Sequence, residues 1–193
     1  MGSGAIMRPE IRIRPTDFHT RRDPSEEYGL IIADLTEDRA RNELIVDGVA
    51  GEGRAGGGTA LVLSDRKGHC RELRALLAER HGIDGAVLTG DTPLPERKAM
   101  VARIQDSRER VVFATGQLIG EGFDASNLTS LFLATPVKFS GRLIQYLGRV
   151  LRPSVGKAQP KVYDFVDSRV GVLDAAARAR AAVYGEIFNS DGP

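Results

Sequence analysis

Between Thr59 and Asp167 the chain alternates short apolar runs with longer amphipathic stretches. "TALVLS", "GAVLTG", "RVVFAT", "LTSLFLAT" and "KVYDFVD" are too short and too uniformly apolar for half-exposed strands, so each predicts a strand buried on both faces. Between them, Asp65 to His81 places Leu73, Leu76 and Leu77 on one helical face. A second helix is expected from about Pro93 to Gln105, with prolines in its first turn, and a closing helix from Leu173 to Phe188. Strands alternating with helices predict an α/β fold, a parallel sheet sandwiched between helices. In such sheets the chemistry gathers at the C-terminal strand ends. Polar residues cluster there: Ser64-Asp65-Arg66, Thr89-Gly90-Asp91, Thr115-Gly116 and Thr135-Pro136.

Before Thr59 the pattern is looser. "RPEIRIRP" reads as an extended lead-in. The stretch from Asp23 to Ala50 reads as helical, with breaks near Asp23-Pro24 and at Thr36, a candidate N-cap. "GEGRAGGG", residues 51–58, reads as a flexible linker, and the opening "MGSG" as an expression scar.

One stretch has more to explain. In "SGRLIQYLGRVLRP", about 100° per residue puts Leu143, Ile144, Leu147, Val150 and Leu151 on one stripe. Gln145, Arg149 and Arg152 line up on the opposite face, with Gly148 at its edge and Pro153 as the stop. A solvated charged face and an anion clamp both fit this arrangement.

Composition narrows the choice. The 193 residues carry a net charge of only +1, but its distribution is uneven. From Ala125 to Tyr163 there is no Asp or Glu, while Lys138, Arg142, Arg149, Arg152, Lys157 and Lys161 all fall there, which suggests a surface facing polyanions. The lone Cys70 excludes an internal disulfide and a thiolate-based zinc site, and the three histidines show no metal-ligand spacing. With no signal peptide or transmembrane run, the expectation is a cytoplasmic protein without a membrane partner. "GRAGGGT" has the glycines of a phosphate loop but lacks its lysine and precedes a strand instead of following one. The absence of G-x-G-x-x-G after the first buried strand argues against a dinucleotide-binding dehydrogenase. In Glu121-Gly122-Phe123-Asp124 two carboxylates flank a glycine, which alone is ordinary loop solvation as readily as chemistry.

Taken together in order and spacing, "LVLSDR", "VVFATGQLIGEGFD" and "QYLGRVLRP" resemble motifs IV, V and VI of the C-terminal RecA-like domain of superfamily 2 helicases, closest to DEAD/DEAH-type enzymes of the restriction and repair branch. The resemblance covers about residues 59–188, and residues 8–50 resemble the segment that connects two motor domains. Implied domains are therefore a scar at 1–7, a connecting segment with a glycine-rich linker at 8–58, and a RecA-like domain at 59–190. Further implications follow from matched positions. Arg149 and Arg152 match the arginines that reach the ATP γ-phosphate, Arg152 being the expected finger. Gln145, Gly148, Gly122, Asp124 and Glu121 match nucleotide-proximal or interdomain positions. Ser64, Arg66, Thr89, Gly90 and Thr115 match positions along a bound strand. Leu151 stands where many members have a second glycine. The resemblance implies a parent ATP hydrolase using ATP and Mg2+, held mainly by an N-terminal RecA-like domain of the same polypeptide. It also implies contacts to single- or double-stranded nucleic acid and, for this chain alone, no ATP hydrolysis. The alternative is a non-enzymatic nucleic-acid- or anion-binding module of the same fold.

Overall fold

The computed structural model describes residues 7–120, 127–137, 140–150, 152, 157 and 159–189. Six parallel strands form one sheet in the order β1-β6-β5-β2-β4-β3: β1 (Glu10–Pro15), β2 (Thr59–Ser64), β3 (Ala86–Leu88), β4 (Val111–Thr115), β5 (Leu128–Leu133) and β6 (Lys161–Val166). Around them lie α1 (Tyr28–Glu37), α2 (Arg39–Ala55), α3 (Lys67–His81), α4 (Leu94–Gln105), α5 (Gly116–Gly120), α6 (Ser140–Val150) and α7 (Gly171–Asn189). The α/β sandwich expected from the alternating pattern is the fold observed.

Alternation along the strands divides the core by face. Leu61 and Leu63 of β2 meet Ile104 of α4, Leu143 and Leu147 of α6 and Val183 of α7 on one side. Ala60 and Val62 meet Val46 and Val49 of α2 and Leu73 and Leu77 of α3 on the other. Both faces are covered, so all six residues of β2 are buried.

Several expectations need correction. The lead-in is a strand of the same sheet: β1 pairs with β6 in register from Glu10–Lys161 to Pro15–Val166. The glycine-rich stretch 51–58 is not a flexible linker throughout, because α2 continues to Ala55. Its glycines are overridden by anchoring side chains: Glu52 accepts from the Tyr163 hydroxyl at 2.6 Å and from Lys161 at 2.9 Å. The helix ends only where Gly56 and Gly57 take φ of 72° and 92°. Thr36 is not an N-cap. Its hydroxyl donates to Ala33 O within α1, and Asp38 caps α2 by accepting from Arg41 N at 2.8 Å. The stretch after β4, read as loop, begins with α5. The core stripe of α6 is Leu143, Tyr146, Leu147 and Val150, whereas Ile144 is half exposed; Leu151 lies outside the described residues.

Two buried ion pairs tie the outer elements to the sheet. Arg41 of α2 donates to Asp167 after β6 at 2.8 Å and to Ala134 O after β5 at 2.6 Å, and Thr16 after β1 donates to the same carboxylate. Arg180 of α7 donates to Asp164 of β6 at 2.7 Å, and the Tyr184 hydroxyl donates there at 2.9 Å. Each carboxylate is thus desolvated but paired and hydrogen-bonded, the condition under which buried charge is tolerated.

Candidate functional site

The C-terminal ends of β2, β3 and β4 and one face of α6 enclose a groove of about 570 Å3. Its lining includes Asp65, Lys67, Gly90, Thr115, Arg142 and Gln145. Each element arrives for a local reason. β2 must stop at Ser64 because the following residues satisfy one another: the Ser64 hydroxyl accepts from Arg66 N at 3.1 Å and bonds His69 Nδ1 at 3.0 Å. On the far side of the ring, His69 Nε2 reaches Asn42 Oδ1 at 2.8 Å, and Asn42 Nδ2 donates to Thr36 O at 2.8 Å. With Asn42 Oδ1 accepting from Nε2–H, a neutral imidazole can accept at Nδ1 from the Ser64 hydroxyl. Burial, with Arg41 nearby, accordingly pulls the His69 pKa down to about 3. The turn after β3 is closed by Thr92 N donating to Thr89 O at 3.0 Å, and Arg97 clamps it by donating to Gly90 O at 2.8 Å.

The groove's floor depends on a glycine. A Cβ at Gly116 would collide with the Tyr146 hydroxyl and lie 3.3 Å from Asp65 Oδ1. The turn after Thr115 and the middle of α6 therefore approach more closely than any other residue at 116 permits. Burial, then the nearby Asp65 carboxylate, raises the Tyr146 phenol pKa; the same two causes raise that of Tyr28.

The expected site residues fall into three groups. Gly90, Thr115 and Gln145 line the groove together, while Arg66 is exposed at the adjoining turn. Ser64 and Thr89 are 1% and 4% exposed, and Ser64 is committed to its internal bonds, so it holds the turn and does not face solvent. Arg152 and Gly148 are exposed, the latter with nothing within 4 Å of where a Cβ would stand. Glu121, Gly122 and Asp124, and the side chain of Arg149, lie outside the described residues. The basic stretch is also divided. Lys157 donates to Val150 O at 2.6 Å and Arg152 O at 2.9 Å, serving the carbonyls at the end of α6, and its burial draws the ammonium to about 8. Lys161 pairs with Glu52 at the opposite end of β6. Neither contributes to a polyanion-facing surface at the strand ends.

Tyr146, Asp65 and Tyr28 were not among the expected site residues. Tyr146 was legible in principle: it stands i+3 from Leu143 and i−4 from Val150, so it shares their face. Asp65 belongs to the polar cluster expected at the end of β2, whereas Tyr28 carries no such signal, since only the fold brings α1 beside that strand end.

The sequence profile described as the helicase conserved C-terminal domain matches residues 40–154. The chain belongs to this family. The Saccharomyces cerevisiae protein named "Putative ATP-dependent helicase IRC3" is 30% identical over 118 residues, covering 61% of this chain and 17% of IRC3. Among solved structures, UvsW of T4 superposes with a TM-score of 0.69 at 18% identity, over 94% of this chain and 40% of UvsW. Saccharomyces cerevisiae Dbp5 bound to RNA and ADP BeF3 gives a TM-score of 0.59 at 16% identity, over 95% of this chain and 40% of Dbp5. At these identities the structural likeness concerns the fold. The chain spans between 17% and 29% of the length of the curated relatives it matches. Among the described residues no helix is long and apolar enough to cross a membrane.

Proposed function

We propose that the chain is the second motor domain of an ATP-dependent helicase or translocase. In this reading it supplies arginines to ATP held by an N-terminal RecA-like domain of the same polypeptide, and groove residues to a nucleic-acid strand. The observation that carries the reading is the arrangement of α6. Its buried stripe fixes the helix, Gln145 faces the groove beside Thr115, and Arg152 stands exposed two turns further on.

The fit to ATP is partial, in the way a trans-acting domain requires. The stretch Gly53–Thr59 is no phosphate cradle: it is helical to Ala55, carries no lysine, and runs directly into β2. Among the described residues no group of three or more His, Cys, Asp or Glu side chains is placed to hold a metal ion. What this chain offers is guanidinium. When bound, ATP supplies a γ-phosphoryl group on which negative charge develops during transfer, and a planar fork can donate to two of its oxygens at once. Arg152 and Arg149 would hold that charge, while Gln145 lines the groove. The relatives support the reading: one is named "Putative ATP-dependent helicase IRC3", and the similar Dbp5 structure is bound to RNA and a nucleotide. Cytoplasmic location and the domain division at residue 59 are parts of the same proposal.

The test is steady-state ATP turnover, with and without nucleic acid, by a protein carrying both motor domains. Arg152→Ala should lower turnover roughly 10³-fold, the scale of a lost arginine finger. Arg152→Lys should restore little, since a point charge does not reproduce the fork. Strand affinity without nucleotide should hardly move. Near-normal turnover with collapsed strand binding would instead make this face a nucleic-acid surface, and absence of turnover by the two-domain protein would favour a non-enzymatic binding module.

A further inference from the structure

A narrower cleft of about 250 Å3 opens from the side of the groove, between the β2–α3 turn, the start of α1 and the segment after β5. Its walls include Tyr28, Ile32, Arg66 and Pro136, and it shares Asp65, Arg142 and Tyr146 with the groove. Two features of this cleft are unexplained by phosphate binding.

The first is Asp65. Arg142 brings positive charge to the groove, where Lys67 is paired with Asp91, and the Asp65 carboxylate stands between groove and cleft. Asp65 has no structural duty that would account for it. Its backbone N–H donates to Thr135 Oγ1 at 2.9 Å, but among the described residues no hydrogen bond or ion pair reaches its carboxylate. An ionised carboxylate is an acceptor only, so in a strand it can be satisfied by N–H or O–H donors and is repelled by phosphate. The second is the wall. The half-buried Tyr28 ring stands beside the nearly buried Tyr146, Ile32 and Pro136, around a space too small for a folded partner. Such a wall suits a flat base, which every nucleotide carries, and not a hydrated phosphate.

We propose that this cleft takes one unstacked base of the strand lying in the groove, with the base's N–H edge on Asp65 and its ring against Tyr28. The inference rests on the nucleic-acid reading above and adds to it a contact to a base, where the groove residues account only for backbone.

The test uses this chain and two labelled deoxyribose strands of equal length, one of cytosine and one of tetrahydrofuran-type abasic units, with affinity read by anisotropy at low salt. Cytosine presents an amino donor that carboxylates accept from, and deoxyribose removes the 2′-hydroxyl as a competing donor. The cytosine strand should bind about tenfold tighter than the abasic one, the scale of one good base contact. Asp65→Ala is the deciding variant, because its side chain is exposed and bonds nothing in the fold. Removing a negative charge should tighten the abasic strand but weaken the cytosine strand, so the preference collapses. The chain has no tryptophan, so tyrosine emission is directly readable, and the cytosine strand should quench it more than the abasic strand does. Equal affinities for both strands, with Asp65→Ala tightening both alike, would overturn the base cleft and leave the backbone groove standing. Absence of salt-sensitive binding to either strand would overturn the nucleic-acid reading itself.

Discussion

Mild acid should destabilise this chain through His69, and by an amount that its surroundings fix. The ring is buried between α2 and β2, with Nδ1 accepting from Ser64 and Nε2–H donated to Asn42. A second ring proton would face the Ser64 oxygen only by breaking the bond in which Ser64 donates, in a site already close to Arg41. Burial of the ring, with the Arg41 charge nearby, draws the folded pKa from 6.5 down to about 3. The unfolded chain binds a proton near 6.5 and the folded chain does not. The contribution is therefore intact above pH 6.5 and is lost as pH falls through the window toward 3. Linkage gives a loss of about 0.8 kcal/mol at pH 6 and about 2 kcal/mol at pH 5, approaching about 1.4 kcal/mol per pH unit. The assay is urea denaturation at several pH values between about 8 and 5, for the parent chain and His69→Gln. Gln cannot titrate, so the difference between the two profiles isolates the imidazole from the carboxylates. A difference that stays flat between pH 8 and 5 would mean that the folded ring accepts a proton as easily as the unfolded one. The Ser64–His69–Asn42 chain of bonds would then be wrongly assigned.

Two further outcomes are expected. Asp164→Ala strands Arg180, which is 3% exposed and makes its ion pair to that carboxylate; it should cost about 3–5 kcal/mol in urea unfolding, and Asp164→Leu with Arg180→Met should recover most of it, so a single variant of unchanged stability would contradict the buried pairing. Cys70 is buried, and burial pushes its thiol up to about 12, so iodoacetamide near pH 8 should label it only along the unfolding curve; rapid labelling of the native chain would refute that placement.

How far the sequence carried depended on the range of the interaction. The five buried strands and the helices between them were legible because burial on both faces writes a local apolar run. The groove followed from topology, since parallel strands all deliver their ends to one side. What was missed is non-local. Glu52 makes its helix hold across glycines only by reaching Tyr163, more than a hundred positions away. β1 is a strand because β6 pairs with it, and nothing in "EIRIRP" announces a partner. Thr36 has the chemistry of a cap, yet Asp38 takes the role two residues later, a contest that depends on where the backbone turns. Ser64 matched a strand-contact position by motif alone, but its hydroxyl is occupied by His69.

The contact between Gly116 and Tyr146 joins these two kinds of information, and it is measurable. Thr115 and Gly116 begin the turn expected to meet the strand, and Tyr146 sits one residue after Gln145 on the helix that leads to Arg152. The phenol hydroxyl fills the space where a side chain at 116 would begin. α6 and the turn are thereby packed as one body, so a shift at Thr115 cannot occur without moving the helix that carries the arginines. Gly116→Ala adds one methyl group to this junction and should cost about 1–3 kcal/mol, the usual penalty for overpacking. Tyr146→Phe alone should be close to neutral, since it removes an oxygen without opening the ring's seat. Combined with Gly116→Ala it should recover part of the loss, and only part, because the ring carbon that bore the hydroxyl stays 3.0 Å from the new Cβ. The two changes are thus predicted to be non-additive in the favourable direction, which a double-mutant cycle of urea midpoints reads directly. Simple additivity, or a neutral Gly116→Ala, would show that the hydroxyl does not occupy that space. The glycine would then owe its place to the bound strand and not to the helix behind it.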